Sequence, residues 1–348
     1  MAESKNNRVV YLDVLRTVTV FSMMLLHVAT SKFYTIPVSS FAWQVSNIYN
    51  CCVHFCVPVF FMISGVFMLD PERPLTMKKL FTKNILRIVT AYIFWSLIYT
   101  FYIYLSAGQT SAREMFFYFV KGHYHLWFLF TIVSLYIITP CLRKITEDIR
   151  MQGYFILLFA FFCLLLNALK ANHFLDALIT PVTDSLHIDF VIGYTGYYML
   201  GNFLYRSEIS KPVRLILYAA GIASALFTII STSILSLNSG SFNAFWNNYL
   251  LPNIAVISAA IFVFFQYEVA RIKWSERQLS GIYLLAKLSF GMYLVHDLFN
   301  DLLSALHLTI LTYNPIFSIP GNTILVFALS FVVSYAISKV PLLNKYII

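Results

Sequence analysis

YFILLFAFFCLLL, running from Tyr154 to Leu166, is thirteen consecutive residues without a charged or amide side chain. Its apolar positions do not alternate with polar ones, as the strands of a membrane barrel must. LIYTFYIYL, Leu97–Leu105, behaves the same way. In hydrocarbon every backbone polar group needs an internal partner, and outside a closed barrel only a helix supplies it. Outward from this stretch, runs long enough to cross about 30 Å of hydrocarbon recur near Tyr11–Thr30, Val45–Met68, Ile85–Leu105, Leu126–Leu142, Tyr154–Leu169, Phe190–Tyr205, Val213–Leu235, Tyr249–Tyr267, Ile282–Leu303 and Ile324–Val340. The expected fold is an all-α integral membrane protein, a bundle of about ten transmembrane helices forming a single domain over residues 1–348. Ser106–His125 and Lys170–Ile188 are the longest stretches left outside the spans.

Composition agrees. Of 348 residues 59% are hydrophobic and 11% charged, against about a quarter charged in soluble domains. So few polar side chains exclude a soluble globular enzyme, and such apolarity excludes disorder. The five cysteines lie in apolar runs without metal-ligand spacing and read as small buried residues, a disulfide at Cys51 or Cys52 being the alternative.

The net charge of +9 invites a nucleic-acid partner, but its placement argues against one. Nineteen of the 24 lysines and arginines fall in alternate loops beginning with the N-terminus. The opposite loops hold only Lys32, Arg113, Lys121 and Lys170, and Arg16 lies inside the first helix. That bias predicts cytoplasmic termini in a multi-pass protein of the plasma or inner membrane. Asp13 and Arg16 interrupt the first run, which argues for a retained helix over a signal peptide.

Ionisable residues inside membrane spans mark candidate sites. The first helix, YLDVLRTVTVFSMMLLHVAT, carries Asp13, Arg16 and His27. Arg16 and His27 are eleven residues apart, nearly three turns, so they share a face about 16 Å apart along the axis. Arg16 is expected toward the cytoplasm and His27 toward the outer half. A snorkelling arginine and a satisfied interior histidine are the bland alternative.

Leu12–Arg16 (LDVLR), ten intervening residues and His27 resemble the first motif of acyltransferase family 3, polytopic O-acyltransferases that modify bacterial surface glycans. PVFFMISG (Pro58–Gly65), YHLWFLFTIVSLYIITP (Tyr124–Pro140) and SFGMYLVH (Ser289–His296) are similar to later family segments, in order. The family often has two arginines, three apart, entering the third helix. Here Asn84 stands at the first position, with Lys83 beside it and Arg87 at the second. The resemblance implies a ten-helix bundle, an acyl-CoA donor and a glycan acceptor.

The residues suit that chemistry. A basic rim of Lys78, Lys79, Lys83 and Arg87 would attract the phosphates of cytoplasmic acetyl-CoA, although such a cluster is also ordinary topology signal. Arg16 would meet the donor where it enters the bundle. His27 is the expected general base, taking the acceptor hydroxyl's proton and passing it to the thiolate. Asp13, one turn from Arg16, is placed to fix its guanidinium. Asp297 and Asp189 are candidates to orient His27. His125 is either an acceptor-site residue or an interfacial cap. His296 is expected to face the bundle and contribute to substrate binding. Trp127, with Tyr124, is a candidate sugar-stacking residue or part of an aromatic belt. His54 reads as structural, and His123, His173, His187 and His307 as solvated. Glycines at 193, 196 and 201 fit a broken helix lining a site or close helix packing.

The expected function is therefore transfer of an acyl group, most simply acetyl, from acyl-CoA to a hydroxyl of a surface or lipid-linked glycan, with membrane lipids as surroundings and no metal. Since the chain stops at Ile348, transfer straight to the final acceptor is expected. A glycan or lipid transporter is the alternative, though transporters usually show paired broken helices. A non-catalytic synthase subunit would not need the Arg16–His27 pairing.

Overall fold

The computed structural model describes residues 9–107, 111–187 and 192–347. The chain is 82% helical, with no strand among the described residues. Among the described residues nine helical stretches are long and apolar enough to cross a membrane. Those holding Val10–Thr30 and Phe41–Met68 are largely enclosed, whereas Ile149–Leu169 and Lys211–Ser239 lie at the periphery with their apolar side chains outward.

Three departures from the expected helices have local causes. The run expected over Val45–Met68 begins at Phe41, where Ser40 caps it by accepting from the Trp43 amide, and divides into Phe41–Val53 and Cys56–Met68. Pro58 has no N–H to return to the carbonyl of His54, so the ladder fails there. Second, the loop expected near Ser106–His125 contains a helix, Ala112–Lys121, closed at its start by a Ser111–Glu114 capping box. Gly122, with φ of 71°, then turns the chain into a single 3-10 turn, Tyr124–Leu126, before the helix Trp127–Thr146. Lys170–Ile188 likewise holds a helix, His173–Leu186.

The third departure is the sixth run. It forms a continuous helix of only 14 residues, Gly193–Arg206, so the glycines do not break it. Two of them serve packing, since a Cβ on Gly196 would strike the Phe159 ring and one on Gly201 the backbone of Met62; from the facing helix, a Cβ on Gly65 would strike the carbonyl of Tyr198. Without a hydrophobic drive between helices in lipid, such close approach supplies the cohesion. Gly201→Ala and Gly65→Ala should therefore each lower stability in detergent by about 1–3 kcal/mol, the cost of overpacking. Gly193→Ala, where no atom lies within 4 Å, should melt like wild type.

Cys51, Cys56 and Cys163 are buried as expected, but Cys52 and Cys141 are exposed, and none of the five, all among the described residues, is in a disulfide. His54 is buried, with Nε2 against the carbonyl of Asn247 and its ring stacked on Tyr249 at 4.5 Å.

Candidate active site

Two cavities meet inside the bundle. The larger, about 1480 Å³, runs from Arg16 to His27 along the face that the eleven-residue spacing predicts. Six cationic side chains line it: Arg16, Arg73, Lys83, Arg87, Lys287 and Lys345. Among the described lining residues Asp13 is the one carboxylate, and Arg73 is paired with Asp70 at 3.0 Å. Such an imbalance in an enclosed space attracts a polyanion. Farther in, Ile63, Phe60, Phe128 and Ile132 give an apolar wall. Arg16 lies over the Phe67 ring at 5.6 Å and Arg87 over Phe290 at 5.7 Å. Lys78 and Lys79 are exposed and do not line the cavity, so the expected basic rim narrows to Lys83 and Arg87 on that segment.

Lys345 reaches the cavity because the end of the chain is tied to the helix Leu86–Ala107. The Thr90 hydroxyl donates to the carbonyl of Tyr346 at 2.7 Å, and the Trp95 indole to that of Ile347 at 3.2 Å.

The second cavity, about 570 Å³, lies at the other end of the bundle. Hydrogen-bonding groups line its wall, among them Asn50, His123, Tyr124, Asp297, Asn300 and Asp301. Leu26, His27 and Tyr249 line both cavities.

His27 is held by a chain of two hydrogen bonds. Its Nδ1 lies 3.0 Å from the Tyr124 hydroxyl, which lies 3.0 Å from Asp297 Oδ1. A carboxylate only accepts, so Tyr124 donates to Asp297 and its oxygen takes the Nδ1–H of His27. That tautomer leaves Nε2 with a free lone pair. Asp297, one of the two acids expected to orient His27, is linked to it through Tyr124. The other, Asp189, lies outside the described residues.

Local structure puts these groups together. His27 is in the last turn of its helix. Tyr293, His296, Asp297, Asn300 and Asp301 recur on one face of the helix Glu276–Ala305. The Tyr293 hydroxyl donates to the carbonyl of His125 at 2.7 Å, pinning the turn that carries Tyr124. Tyr99 fixes it from the other side, donating to the carbonyl of Leu294 at 2.9 Å and stacking on the His123 ring at 4.4 Å.

The remaining candidates take different places. His125 is buried and borders the larger cavity. His296 is fully buried and lines neither cavity, its ring 5.1 Å from that of His27 and 5.0 Å from that of His125. Trp127 lines the larger cavity, while Tyr124 lines the smaller one. His123, expected in solvent, is instead packed on Tyr99 with Nδ1 3.1 Å from Asp297 Oδ2. His173, His187 and His307 are exposed. Arg73, Lys287, Lys345, Asn300 and Asp301 were not singled out by sequence. For Asn300 and Asp301 the signal was available in their helical spacing from His296 and Asp297.

Nine helices of spanning length among the described residues, with a histidine between two chambers, mark a multi-pass membrane protein. The chain belongs to acyltransferase family 3: the model of that family, an acyltransferase domain, matches residues 9–339. It is a membrane acyltransferase, which sets the transporter reading aside. Comparison with curated proteins and with solved structures gives no match.

Proposed function

We propose that the protein is an O-acetyltransferase that takes acetyl from acetyl-CoA at the Arg16 end of the bundle and gives it to a glycan hydroxyl at the His27 end. The observation that carries this reading is the position of His27, on the boundary between a cation-lined chamber and a polar one. The loop charges favour a cytoplasmic Arg16 end in the plasma or inner membrane.

In this mechanism Arg16, Arg87, Lys83 and their neighbours hold the donor phosphates, and the pantetheine arm follows the apolar wall. The thioester then lies beside His27. The acceptor hydroxyl enters from the outer chamber, and His27 Nε2 removes its proton as the oxygen attacks the thioester carbonyl. The carbon–sulfur bond breaks, the thiolate receives the proton, and an ester and free CoA leave. Asp297, through Tyr124, keeps the imidazole turned and steadies the charge it gains.

A glycan acceptor is supported by the carboxylate and amide groups of the outer chamber. The segments HLWF and YTGYYMLGNFLY also resemble those of the enterobacterial common antigen O-acetyltransferase. The test is mass spectrometry of surface glycans from cells with and without the gene, paired with acetyl-CoA turnover by purified protein. Acetyl esters that disappear with the gene are expected. Unchanged glycans together with no turnover would sink the assignment.

A further inference from the structure

His123, His125 and Asp297 bring three ligand atoms to one buried point. The two Nδ1 atoms are 3.0 Å apart, and Asp297 Oδ2 lies 3.1 Å from the first and 3.9 Å from the second. Hydrogen bonds satisfy only part of this arrangement. His123 can donate to Oδ2 only if His125 carries its proton on Nε2, an atom buried without a partner. If His123 donates to His125 instead, Oδ2 is left buried without a partner, on a side chain only 2% exposed. A carboxylate oxygen left so is costly unless a cation meets it.

Those three separations define a triangle with a point about 2.0 Å from every corner, the length of zinc bonds to imidazole nitrogen and carboxylate oxygen. We propose that His123 Nδ1, His125 Nδ1 and Asp297 Oδ2 form a binding site for a divalent transition metal of the zinc class. Two imidazoles and one carboxylate suit such an ion better than magnesium or calcium, which prefer oxygen throughout. Three protein ligands leave a coordination position for water or a substrate group. Neighbouring groups steady the ligands, as outer-shell partners do: Tyr99 stacks on His123, and Tyr124 donates to the other oxygen of Asp297. An ion on Oδ2 would hold Asp297 still and so fix the hydrogen-bond chain to His27.

The inference does not rest on the reaction assigned to His27, and its test reads metal directly. Full-length protein is purified in detergent without chelators, and its first-row transition metals are quantified by plasma mass spectrometry. Wild type and His27→Ala should carry about one ion per chain, as a structural or catalytic site does. His123→Ala and Asp297→Asn should carry close to none. Since those two variants risk misfolding, wild-type protein is also stripped with a chelator and returned to Zn²⁺ while its melting temperature is followed. A fall on stripping and recovery on zinc addition are expected, because a ligand that binds only the folded state stabilises it. Wild type that holds no metal and melts identically with and without zinc overturns the proposal, whatever its acetyl-transfer activity. Full metal content retained in both His123→Ala and Asp297→Asn overturns it as well.

Discussion

His27→Ala should slow acetyl transfer by roughly a hundredfold to ten-thousandfold, the usual scale for a positioned general base. Donor affinity should hardly change, because in the proposed complex Arg16 and its neighbours would grip the anionic end of the donor about 16 Å away. His27→Gln should be as slow, since an amide offers hydrogen bonds but does not take the proton. Tyr124→Phe isolates the second link. It removes the oxygen between His27 Nδ1 and Asp297 Oδ1 and leaves the imidazole in place. A loss of about tenfold to a hundredfold in kcat with unchanged KM for acetyl-CoA is expected, the scale for partners that orient a reacting group. Wild-type turnover should also fall in acid as His27 gains a proton, and this pH profile should shift in Tyr124→Phe. Near wild-type turnover in His27→Ala would remove the histidine from the chemistry.

Arg16→Ala and Arg87→Ala should each weaken acetyl-CoA binding by about 1.5–3 kcal/mol, the value of a hydrogen bond to a charged group. That is roughly tenfold to 150-fold in Kd by isothermal calorimetry. Lys78→Ala is the control, because this exposed residue does not line the larger cavity and a solvated charge contributes little. Dephospho or nucleotide-free thioester analogues should lose the same affinity in wild type and gain nothing further from the arginine substitutions. Equal affinity in all three variants would remove the donor from this chamber.

Where the sequence was legible, an ionisable residue interrupted an apolar run or a spacing matched a helical face. Arg16 and His27 stood out because charge inside a span is expensive, and both do line one cavity. The helices were visible because lipid imposes length and apolarity together. The groups around His27 were hidden for a different reason. Tyr124 looks like any interfacial aromatic, and its role depends on Asp297, more than 170 residues away. His123 looked solvated because its loop is polar, yet Gly122 turns it back onto Tyr99. The glycines of the sixth run allow either broken backbone or close contact, and only the position of Met62 and Tyr198 decides between them.

Leu26, His27 and Tyr249 are the described side chains common to both chambers. If the proposed reaction runs there, these three would be the septum across which a two-carbon fragment changes sides. The nucleotide would keep to the side it came from and the sugar to the other, with the ion gradients of the membrane untouched. Bulk at Leu26 and Tyr249 would then be a matter of insulation.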